Sequence, residues 1–339
     1  MANFKGKTIL ITGGTGSFGE YFADYLQDKD FKEIRVFSRD EMKQEQMRQR
    51  FNNSKIKYYI GDIRDRSSLD NAIIGVNYIF HAAALKQVPT CEFFPTQAMQ
   101  TNVIGSQNVI ASAIEKGVER VVSLSTDKAV YPVNALGNTK ALMERMIQSV
   151  ARSIPDGRTI LSVVRYGNIL FTRGSVIPVF IKQIREQRPL TLTALEMSRF
   201  WLPLSEAVEL VNFALEYGEQ GDIFIRKAAS STLGNVAKAL QSIFKSKSEI
   251  KIIGMRHGEK MHETLASKEE LARSEDIGDF LRLRMDSRGL NYEKYLSEGE
   301  KQLIQLQDYD SVNSKRMTVK EIKALLLAQP EILSALSYL

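Results

Sequence analysis

Short β-rich runs alternate with longer helical patterns throughout the first half of this chain. The β-rich runs predict six strands: Thr8–Thr12, Glu33–Ser38, Lys57–Gly61, Tyr78–His81, Arg120–Ser125 and Thr159–Tyr166. The segments between them predict helices: Phe18–Gln27, Asp40–Phe51, Ser67–Ile74, Thr96–Lys116 and Leu136–Ser153. Such alternation is typical of βαβ units, whose parallel sheet is covered by helices on both faces. Because crossovers are right-handed, we expect residues 1–167 to form a doubly wound parallel sheet.

The alternation becomes irregular beyond Gly167. Three short β pieces are predicted at Leu190–Thr193, Ile223–Ile225 and Ile250–Ile253. Ser205 and Thr318 are candidate helix caps, and Thr318 has Glu321 three residues later, the spacing of a capping box. We expect residues 168–339 to form mainly a smaller α/β domain, with some segments returning to the first sheet.

Composition narrows the class of protein. The 339 residues include 43% hydrophobic and 25% charged side chains, which argues against disorder. The formal net charge is +6, but basic and acidic residues are mixed along the chain, so we expect no nucleic-acid partner. No apolar run is long enough to cross a membrane. The single cysteine, Cys91, excludes an internal disulfide and fits a cytoplasmic protein. The three histidines lack cysteines at zinc spacing, so no metal site is expected.

A glycine-rich run directly follows the first predicted strand and opens the first predicted helix. It reads Thr12-Gly13-Gly14-Thr15-Gly16-Ser17-Phe18-Gly19. Glycines let the backbone approach a pyrophosphate, which then lies on the unpaired N–H groups at the helix N-terminus. A glycine-rich run alone also marks plain turns, but the strand–turn–helix context predicts a dinucleotide site.

The end of the second predicted strand bears on which dinucleotide binds. An acid at this place holds a ribose 2′-hydroxyl, whereas an Arg accommodates the 2′-phosphate of NADP. The chain has both, at Arg39 and Asp40. We favour NADP, with Arg39 on the phosphate and Asp40 at the start of the next helix; NAD is the alternative. Asp62, after the third strand, is a candidate adenine contact or a cap of the turn that follows it.

The residues that would move protons are unusual. In short-chain dehydrogenases, which such an opening resembles, a Tyr four residues before a Lys usually does the proton chemistry. Here Lys140 is present to hold the nicotinamide ribose, but Leu136 occupies the Tyr position and cannot accept a proton. An acid and a base stand side by side at Asp127 and Lys128, just past the fifth strand. A surface ion pair would contribute little there, but sheets of this kind bind ligands at that edge, which favours a functional role.

Six motifs in family order carry a wider resemblance. They are the glycine-rich run and His81-Ala82-Ala83-Ala84-Leu85-Lys86-Gln87-Val88, Ser125-Thr126-Asp127-Lys128, Arg165-Tyr166-Gly167-Asn168, Arg173-Gly174-Ser175-Val176-Ile177-Pro178 and Arg256-His257-Gly258-Glu259-Lys260. Over nearly the whole chain the sequence resembles the extended short-chain dehydrogenase/reductases of bacterial polysaccharide biosynthesis. Within them it resembles the soluble, inverting UDP-N-acetylglucosamine 4,6-dehydratases (CapE/FnlA-like). The resemblance implies a Rossmann sheet with a smaller C-terminal domain that binds the nucleotide sugar.

The motifs and this resemblance together predict two sets of binding residues. The cofactor set is Gly13, Thr15, Gly16, Ser17, Phe18, Gly19, Ser38, Arg39, Asp62, Ile63, Ala82, Ala83, Ala84, Asn102, Ser125, Lys140, Tyr166 and Gly167. The substrate set consists of two candidate sugar or phosphate contacts, Lys86 and Asn168, and of residues that map to the family's nucleotide-sugar pocket: Arg173, Ser175, Val176, Thr193, Arg199, Arg256 and Glu259.

The resemblance implies 4,6-dehydration of UDP-N-acetylglucosamine with inversion at C5, for capsule, O-antigen or related glycan synthesis. Such a reaction oxidises C4, removes the C5 proton, expels the 6-hydroxyl as water and returns the stored hydride to C6. We expect Lys128, its pKa lowered by burial and by the positive nicotinamide, to be the base, and Asp127 to protonate the leaving hydroxyl. The acceptor of the 4-hydroxyl proton stays open among Lys128, Thr126, Tyr131 and Tyr166.

Two other functions fit part of the pattern. A UDP-sugar 4-epimerase needs only oxidation, rotation and re-reduction, and has less use for an adjacent acid and base. A non-catalytic NADP-binding regulator agrees with the missing Tyr but has no need of nucleotide-sugar motifs. We also expect a homo-oligomer, a dimer or a hexamer, whose dimer interface would be formed by helices Thr96–Lys116 and Leu136–Ser153 if the family pattern holds.

Overall fold

The computed structural model describes residues 3–155, 158–286 and 307–337. The elements of the first half are β1 (Thr8–Thr12), α1 (Ser17–Gln27), β2 (Glu33–Ser38), α2 (Glu41–Phe51), β3 (Ile56–Ile60), α3 (Ser67–Ile73), β4 (Tyr78–His81), α4 (Val88–Phe93), α5 (Pro95–Met99), α6 (Gly105–Glu115), β5 (Arg120–Leu124), α7 (Ala135–Ser153) and β6 (Ile160–Arg165). A π-helical turn, Gln100–Ile104, joins α5 to α6, and a 3-10 turn, Asp127–Ala129, follows β5.

The second half has more and shorter elements. They are β7 (Asn168–Ile169), α8 (Val176–Arg185), β8 (Leu190–Leu192), β9 (Ser198–Leu202), α9 (Leu204–Tyr217), β10 (Ile223–Arg226), β11 (Ser230–Thr232), α10 (Leu233–Phe244), β12 (Ile250–Ile252), β13 (Thr264–Ala266), α11 (Lys268–Leu271), β14 (Ser274–Ile277), β15 (Phe280–Leu283), β16 (Tyr309–Asp310), α12 (Val319–Leu327) and α13 (Pro330–Leu336).

A nine-stranded sheet in the order β14-β15-β10-β6-β5-β4-β1-β2-β3 organises the molecule. The six strands predicted from the first half lie in it, all parallel, so the doubly wound Rossmann fold is confirmed. Three strands from the second half extend the sheet: β10 is parallel to β6, and the hairpin β14–β15 is antiparallel at the edge. The hairpin and the strand β9 were not among the predicted elements.

The large core lies between this sheet and its helices. All five residues of β1 are buried because helices cover both faces of the sheet. In α1, Phe18, Phe22 and Leu26 recur every fourth residue and form one buried face. Phe18 and Phe22 both meet the ring of Phe80 on β4 edge to face, with centroids 5.0 and 4.9 Å apart. This packing fixes the start of α1, and with it the glycine-rich loop, against the sheet.

The second half builds its own, smaller core. Phe180 of α8, Trp201 of β9 and Leu240 of α10 are buried in it. Thr318 caps α12 in a capping box with Glu321, as predicted. The prediction of a cap at Ser205 is wrong, because α9 begins at Leu204 after the extended residue Pro203. Among the described helices, none is both long and apolar enough to cross a membrane.

Candidate active site

The glycine-rich loop between β1 and α1 forms a cradle that only glycines permit. Gly13 has a φ of +66°, and a Cβ on it would lie 2.8 Å from the backbone of Ala83. A Cβ on Gly19 would lie 2.6 Å from the carbonyl oxygen of Gly13. Helix α1 begins after the extended residue Gly16, and no side chain of the described residues caps it. Its first N–H groups are therefore available to an anion such as a pyrophosphate.

The ends of β2 and β3 place the residues predicted to select the nucleotide. The Ser38 hydroxyl is 2.7 Å from that of Thr15, which ties β2 to the glycine loop. Asp40 caps α2, as predicted, by accepting from the N–H of Lys43. The half-exposed guanidinium of Arg39 lies 3.3 Å from Asp62, and Asp62 also accepts from the Arg64 N–H. Asp62 thus caps the turn that follows β3 and stands beside the predicted phosphate contact.

The loop after β4 is held by two buried polar side chains. His81 lies between the hydroxyls of Thr12 and Ser106, at 2.7 and 2.8 Å, and burial lowers its pKa to about 3, so the ring is neutral. Asn102 accepts from the N–H of Leu85 at 2.8 Å and donates to its carbonyl at 3.0 Å. Asn102 belongs to the π-helical turn, which interrupts the helix predicted over Thr96–Lys116; such turns are frequent at functional sites. These contacts fix the loop that carries Ala82, Ala83 and Ala84 beside the glycine cradle.

Lys140 and Leu136 lie one turn apart on α7. The Lys140 ammonium is buried and donates to the carbonyl oxygen of Leu124 at 2.6 Å. Burial lowers the pKa of Lys140 to about 8, against the opposing pull of nearby anionic groups. Leu136 is 4% exposed and packs in an apolar cluster with Cys91 and Ala98. The position of the usual Tyr is therefore occupied by a well-packed aliphatic side chain.

The 3-10 turn after β5 buries an acid and a base. Asp127 is fully buried, and its Oδ1 accepts from the Thr126 hydroxyl at 2.8 Å and from Lys128 Nζ at 3.0 Å. Its Oδ2 has no partner among the described residues. Gly167 keeps the space near this oxygen open, because a Cβ there would lie 3.5 Å from Oδ2 and 2.4 Å from Phe200. A buried carboxylate oxygen without a donor is positioned to receive one from a ligand.

The turn depends on a close approach of α7. A Cβ on Gly137 would lie 2.3 Å from the carbonyl oxygen of Lys128, so no larger residue fits without a shift of the backbone. Asn134 caps α7 by accepting from the N–H of Gly137, and its side-chain amide donates to the carbonyl of Gly258 at 2.7 Å. This links the turn to the motif that begins at Arg256.

A second buried carboxylate, Glu263, meets Lys128. Its Oε1 lies 3.2 Å from Lys128 Nζ and 3.7 Å from Arg199 Nε. Burial alone would lower the pKa of Lys128, but Asp127 and Glu263 outweigh it and hold that pKa above its ordinary value. The pKa of Lys128 is therefore raised, whereas the sequence led us to expect a lowered one, so this expectation is wrong. Glu263 was missed at the sequence level, since only its place three residues after Lys260 set it apart from a surface acid.

The segment that carries Arg173 crosses the glycine loop. Its guanidinium donates to the carbonyl of Thr15 at 2.7 Å and lies 3.3 Å from the Ser17 hydroxyl. Gly174, with a φ of +79°, leaves room for the side chain of Gln87, which would be 2.4 Å from a Cβ. Arg173, predicted to bind substrate, therefore lies on the cofactor loop. It also lines a cavity of about 160 Å³ with Lys43 and Arg50.

Four other predicted substrate residues come together near the 256–260 motif. Thr193 donates to Glu259 at 2.9 Å, and Arg256 donates to the other oxygen of Glu259 at 2.9 Å. Arg199 is buried and donates to the backbone carbonyls of Ser198 and Lys260.

The remaining predicted substrate residues are spread between the two cores. Lys86 is exposed on the loop after β4. The Asn168 side-chain oxygen and the Ser175 hydroxyl are buried without a partner in the described part of the chain. Ser175 immediately precedes α8, and Val176 begins it.

The fold and this site define an extended short-chain dehydrogenase/reductase. Residues 9–285 match the family model described as "Polysaccharide biosynthesis protein", and residues 286–332 match the one described as "Polysaccharide biosynthesis protein C-terminal". The chain belongs to this polysaccharide biosynthesis family, as the resemblance had implied.

Three known proteins are similar to this chain in sequence or in structure. The chain is 55% identical over 328 residues, 96% of each protein, to a UDP-glucose 4-epimerase of Rickettsia rickettsii (strain Sheila Smith). It matches the structure of Pen from Bacillus thuringiensis with a TM-score of 0.87 and 35% identity, over 96% of this chain and 100% of that one. The dTDP-glucose 4,6-dehydratase DesIV of Streptomyces venezuelae, solved with NAD, shares the fold: the TM-score is 0.68 at 21% identity, over 75% of this chain and 86% of DesIV. The likeness to DesIV shows the fold alone, while the family model and the relative at 55% identity place the chain among the enzymes of polysaccharide biosynthesis.

Proposed function

We propose that this enzyme is an NADP-dependent 4,6-dehydratase that acts on UDP-N-acetylglucosamine with inversion at C5, in capsule, O-antigen or related glycan synthesis. One observation carries the proposal: the buried Asp127 lies 3.0 Å from Lys128, which is one-fifth exposed, and the second oxygen of Asp127 has no hydrogen-bond partner among the described residues. A dehydratase needs both a base for the C5 proton and an acid for the leaving 6-hydroxyl. A 4-epimerase needs neither.

The residues present fit a nicotinamide dinucleotide. The cradle at Gly13 and the uncapped start of α1 suit the pyrophosphate, and Arg39 is free to turn from Asp62 towards a 2′-phosphate. Lys140 Nζ lies at the end of β5, where the nicotinamide ribose would be held, and so does the Ser125 hydroxyl, which has no hydrogen-bond partner among the described residues. A nicotinamide bound there would supply hydride-transfer chemistry, as acceptor for the oxidation at C4 of the sugar and as donor for the reduction at C6.

The Asp127–Lys128 pair is able to supply acid and base from a single shared proton. In the resting enzyme the proton is on Lys128, whose pKa is raised by its two carboxylate neighbours. Moving the proton to Asp127 across the 3.0 Å contact gives a neutral amine and a carboxylic acid. The amine then accepts the C5 proton, and the acid protonates the leaving 6-hydroxyl, which departs as water. Return of a proton to the opposite face of C5 gives the inverted product.

The same pair is the best-placed acceptor of the 4-hydroxyl proton. Tyr166 is buried, and burial together with Asp127 raises its pKa well above the ordinary value. Burial and the nearby acids raise the pKa of Tyr131 to about 12, and its hydroxyl lies 3.3 Å from Glu269 and 3.2 Å from Asp308. Neither phenol is a ready base at neutral pH. Lys128, whose side chain is one-fifth exposed, passes the 4-hydroxyl proton to solvent before it accepts the C5 proton. Asp127 gives one proton to the leaving water and solvent returns one to C5, so the pair ends in its starting protonation state.

A second candidate is a UDP-sugar 4-epimerase. The names of the relatives support this alternative and not the dehydratase, at 55% identity over 96% of the chain. The structure weighs against it at Leu136, because the position from which a Tyr would accept the 4-hydroxyl proton is a packed aliphatic side chain. Incubation in deuterated water separates the two.

The test is product analysis by NMR after incubation with UDP-N-acetylglucosamine, or with UDP-glucose, in deuterated water. The dehydratase gives a 4-keto-6-deoxy sugar, inverted at C5 and carrying solvent deuterium there. Lys128→Met should abolish dehydration and deuterium uptake, while Asp127→Asn should slow water loss most and leave some exchange at C5. A 4-epimerised sugar with no deuterium on carbon, formed also by Lys128→Met, would establish the second candidate instead.

We also propose where the sugar nucleotide and a second copy of the chain bind. Thr193, Arg256 and Glu259 would hold the uridine ribose and diphosphate, since the guanidinium fork binds two phosphate oxygens at once.

A homo-oligomer would use the α5–α6 and α7 faces, on which Met99 and Leu142 are exposed.

A further inference from the structure

We propose that Glu263 is a positioning residue that holds the Lys128 side chain in place and keeps the shared proton on Lys128 in the resting enzyme. This inference rests on the acid–base role proposed above for the Asp127–Lys128 pair. It adds a second carboxylic residue to the site, one that lies far from Lys128 in the sequence.

Burial and hydrogen bonds fix the position of Glu263. The side chain is 2% exposed, and its backbone is fixed on both sides by Ser311: the Glu263 N–H donates to the Ser311 hydroxyl at 3.0 Å, and the Ser311 N–H donates to the Glu263 carbonyl at 2.8 Å. These bonds lie directly beside the pairing of β13 with β16. The carboxylate is therefore delivered to Lys128 by a rigid element that carries no other part of the acid–base pair.

Charged groups from four segments face one another here. Asp127 approaches Lys128 from its own turn, Glu263 from the segment before β13, and Arg199 from β9, while Lys260 lies 3.9 Å from the second oxygen of Glu263. Three cations thus enclose two carboxylates. Glu263 is shared by all three cations, so it is the anion that offsets their mutual repulsion.

Glu263 acts together with Asp127 to hold the shared proton on Lys128. Burial favours the neutral form of the pair, an amine beside a carboxylic acid, because desolvation penalises both charges. A carboxylate 3.2 Å from Lys128 Nζ stabilises only the charged form. Without Glu263, burial and the cations Arg199 and Lys260 favour the neutral amine, and Asp127 alone opposes them. Glu263 therefore restrains Lys128 from acting as a base.

The test measures the protonation of Lys128 directly, without substrate. The purified enzyme is labelled with trace acetic anhydride across a pH series, and acetylation of Lys128, which is one-fifth exposed, is quantified by mass spectrometry. Glu263→Gln should lower the midpoint of labelling by about one to three pH units, the usual effect of a close opposite charge. Lys260→Met, which removes a cation from the other side of Glu263, should raise it.

A matched control is Glu270→Gln, which removes another ion-paired carboxylate, on α11, that contacts Arg165 and not Lys128. It should leave the midpoint where it is in the parent. An unchanged midpoint in folded Glu263→Gln overturns the inference, and if that variant does not fold, an unchanged midpoint in Lys260→Met does so. Because no sugar is present, these results are independent of which reaction the enzyme performs. In the pH profile of turnover, the apparent pKa that belongs to Lys128 should likewise fall in Glu263→Gln and rise in Lys260→Met.

Discussion

Replacing Leu136 by Tyr restores the residue that short-chain dehydrogenases usually have at this position. Leu136 is 4% exposed and packs against Cys91 and Ala98, so the larger ring must displace its neighbours. Overpacking of this kind typically costs about 1–3 kcal/mol, which should appear as a lower thermal midpoint. The charges at Asp127 and Lys128 are untouched, so we expect dehydration to persist within about tenfold of the parent rate, roughly 1.4 kcal/mol in the barrier.

The matched control is Leu136→Phe, which adds the same ring without the hydroxyl. Thermal unfolding and initial rates of sugar turnover are measured on the parent and on both variants. Together they separate the effect of the ring's size from the effect of its hydroxyl. If the site is fitted around an apolar residue, Tyr and Phe should behave alike in both assays. A large gain in rate with Tyr but not with Phe would refute this, because Leu136 would then be a lost catalytic position and the non-catalytic regulator would gain support.

Three further predictions address the cofactor, the pH dependence and the assembly. Arg39→Ala should weaken NADP by about tenfold or more and NAD little, measured by titration calorimetry, because a charged contact to the 2′-phosphate is lost; equal losses for both dinucleotides would make Arg39 an ordinary surface residue. The pKa of His81 is about 3 in the folded protein and 6.5 for an unperturbed imidazole, so its contribution, up to roughly 5 kcal/mol, is present above pH 6.5 and is lost as the pH falls towards 3. His81→Gln should therefore flatten the acid limb of the unfolding free energy in urea, and an identical slope in parent and variant would contradict this assignment. Leu142→Glu places a charge on an exposed apolar position of α7 and should reduce the mass found by light scattering, whereas an unchanged mass would exclude this face as an interface.

Local patterns were enough to predict the large sheet. Its first six strands are short β-rich runs separated by helices, and both signals act over a few residues. The capping box at Thr318 is equally local. The wrong cap at Ser205 and the missed hairpin β14–β15 have another cause. Whether Ser205 caps a helix depends on where the chain enters it, and the hairpin is stabilised by pairing with β10, whose partner strand β6 lies far earlier in the chain.

In the candidate site, too, some features could be predicted from the sequence and others depend on the fold. The glycine loop, the Asp127–Lys128 pair and Leu136 in place of Tyr are contiguous or closely spaced, so their chemistry was open to prediction. The protonation of Lys128 was not, because its direction is set by Glu263. Arg173 likewise belongs to a substrate motif by its sequence, but the path of its backbone brings it onto Thr15.

The sequence by itself determined the residue types and the order of the βαβ units, because glycine geometry, helix caps and apolar periodicity act over a few residues. Only the tertiary structure decided which charges share a buried site. Electrostatic energy in a desolvated region depends on distance in space, and the distance of 3.2 Å between Lys128 and Glu263 exists only once β13 has paired with β16 beside the turn that follows β5. The balance between one ammonium and two carboxylates, on which the proposed acid–base chemistry turns, is therefore a property of the folded chain.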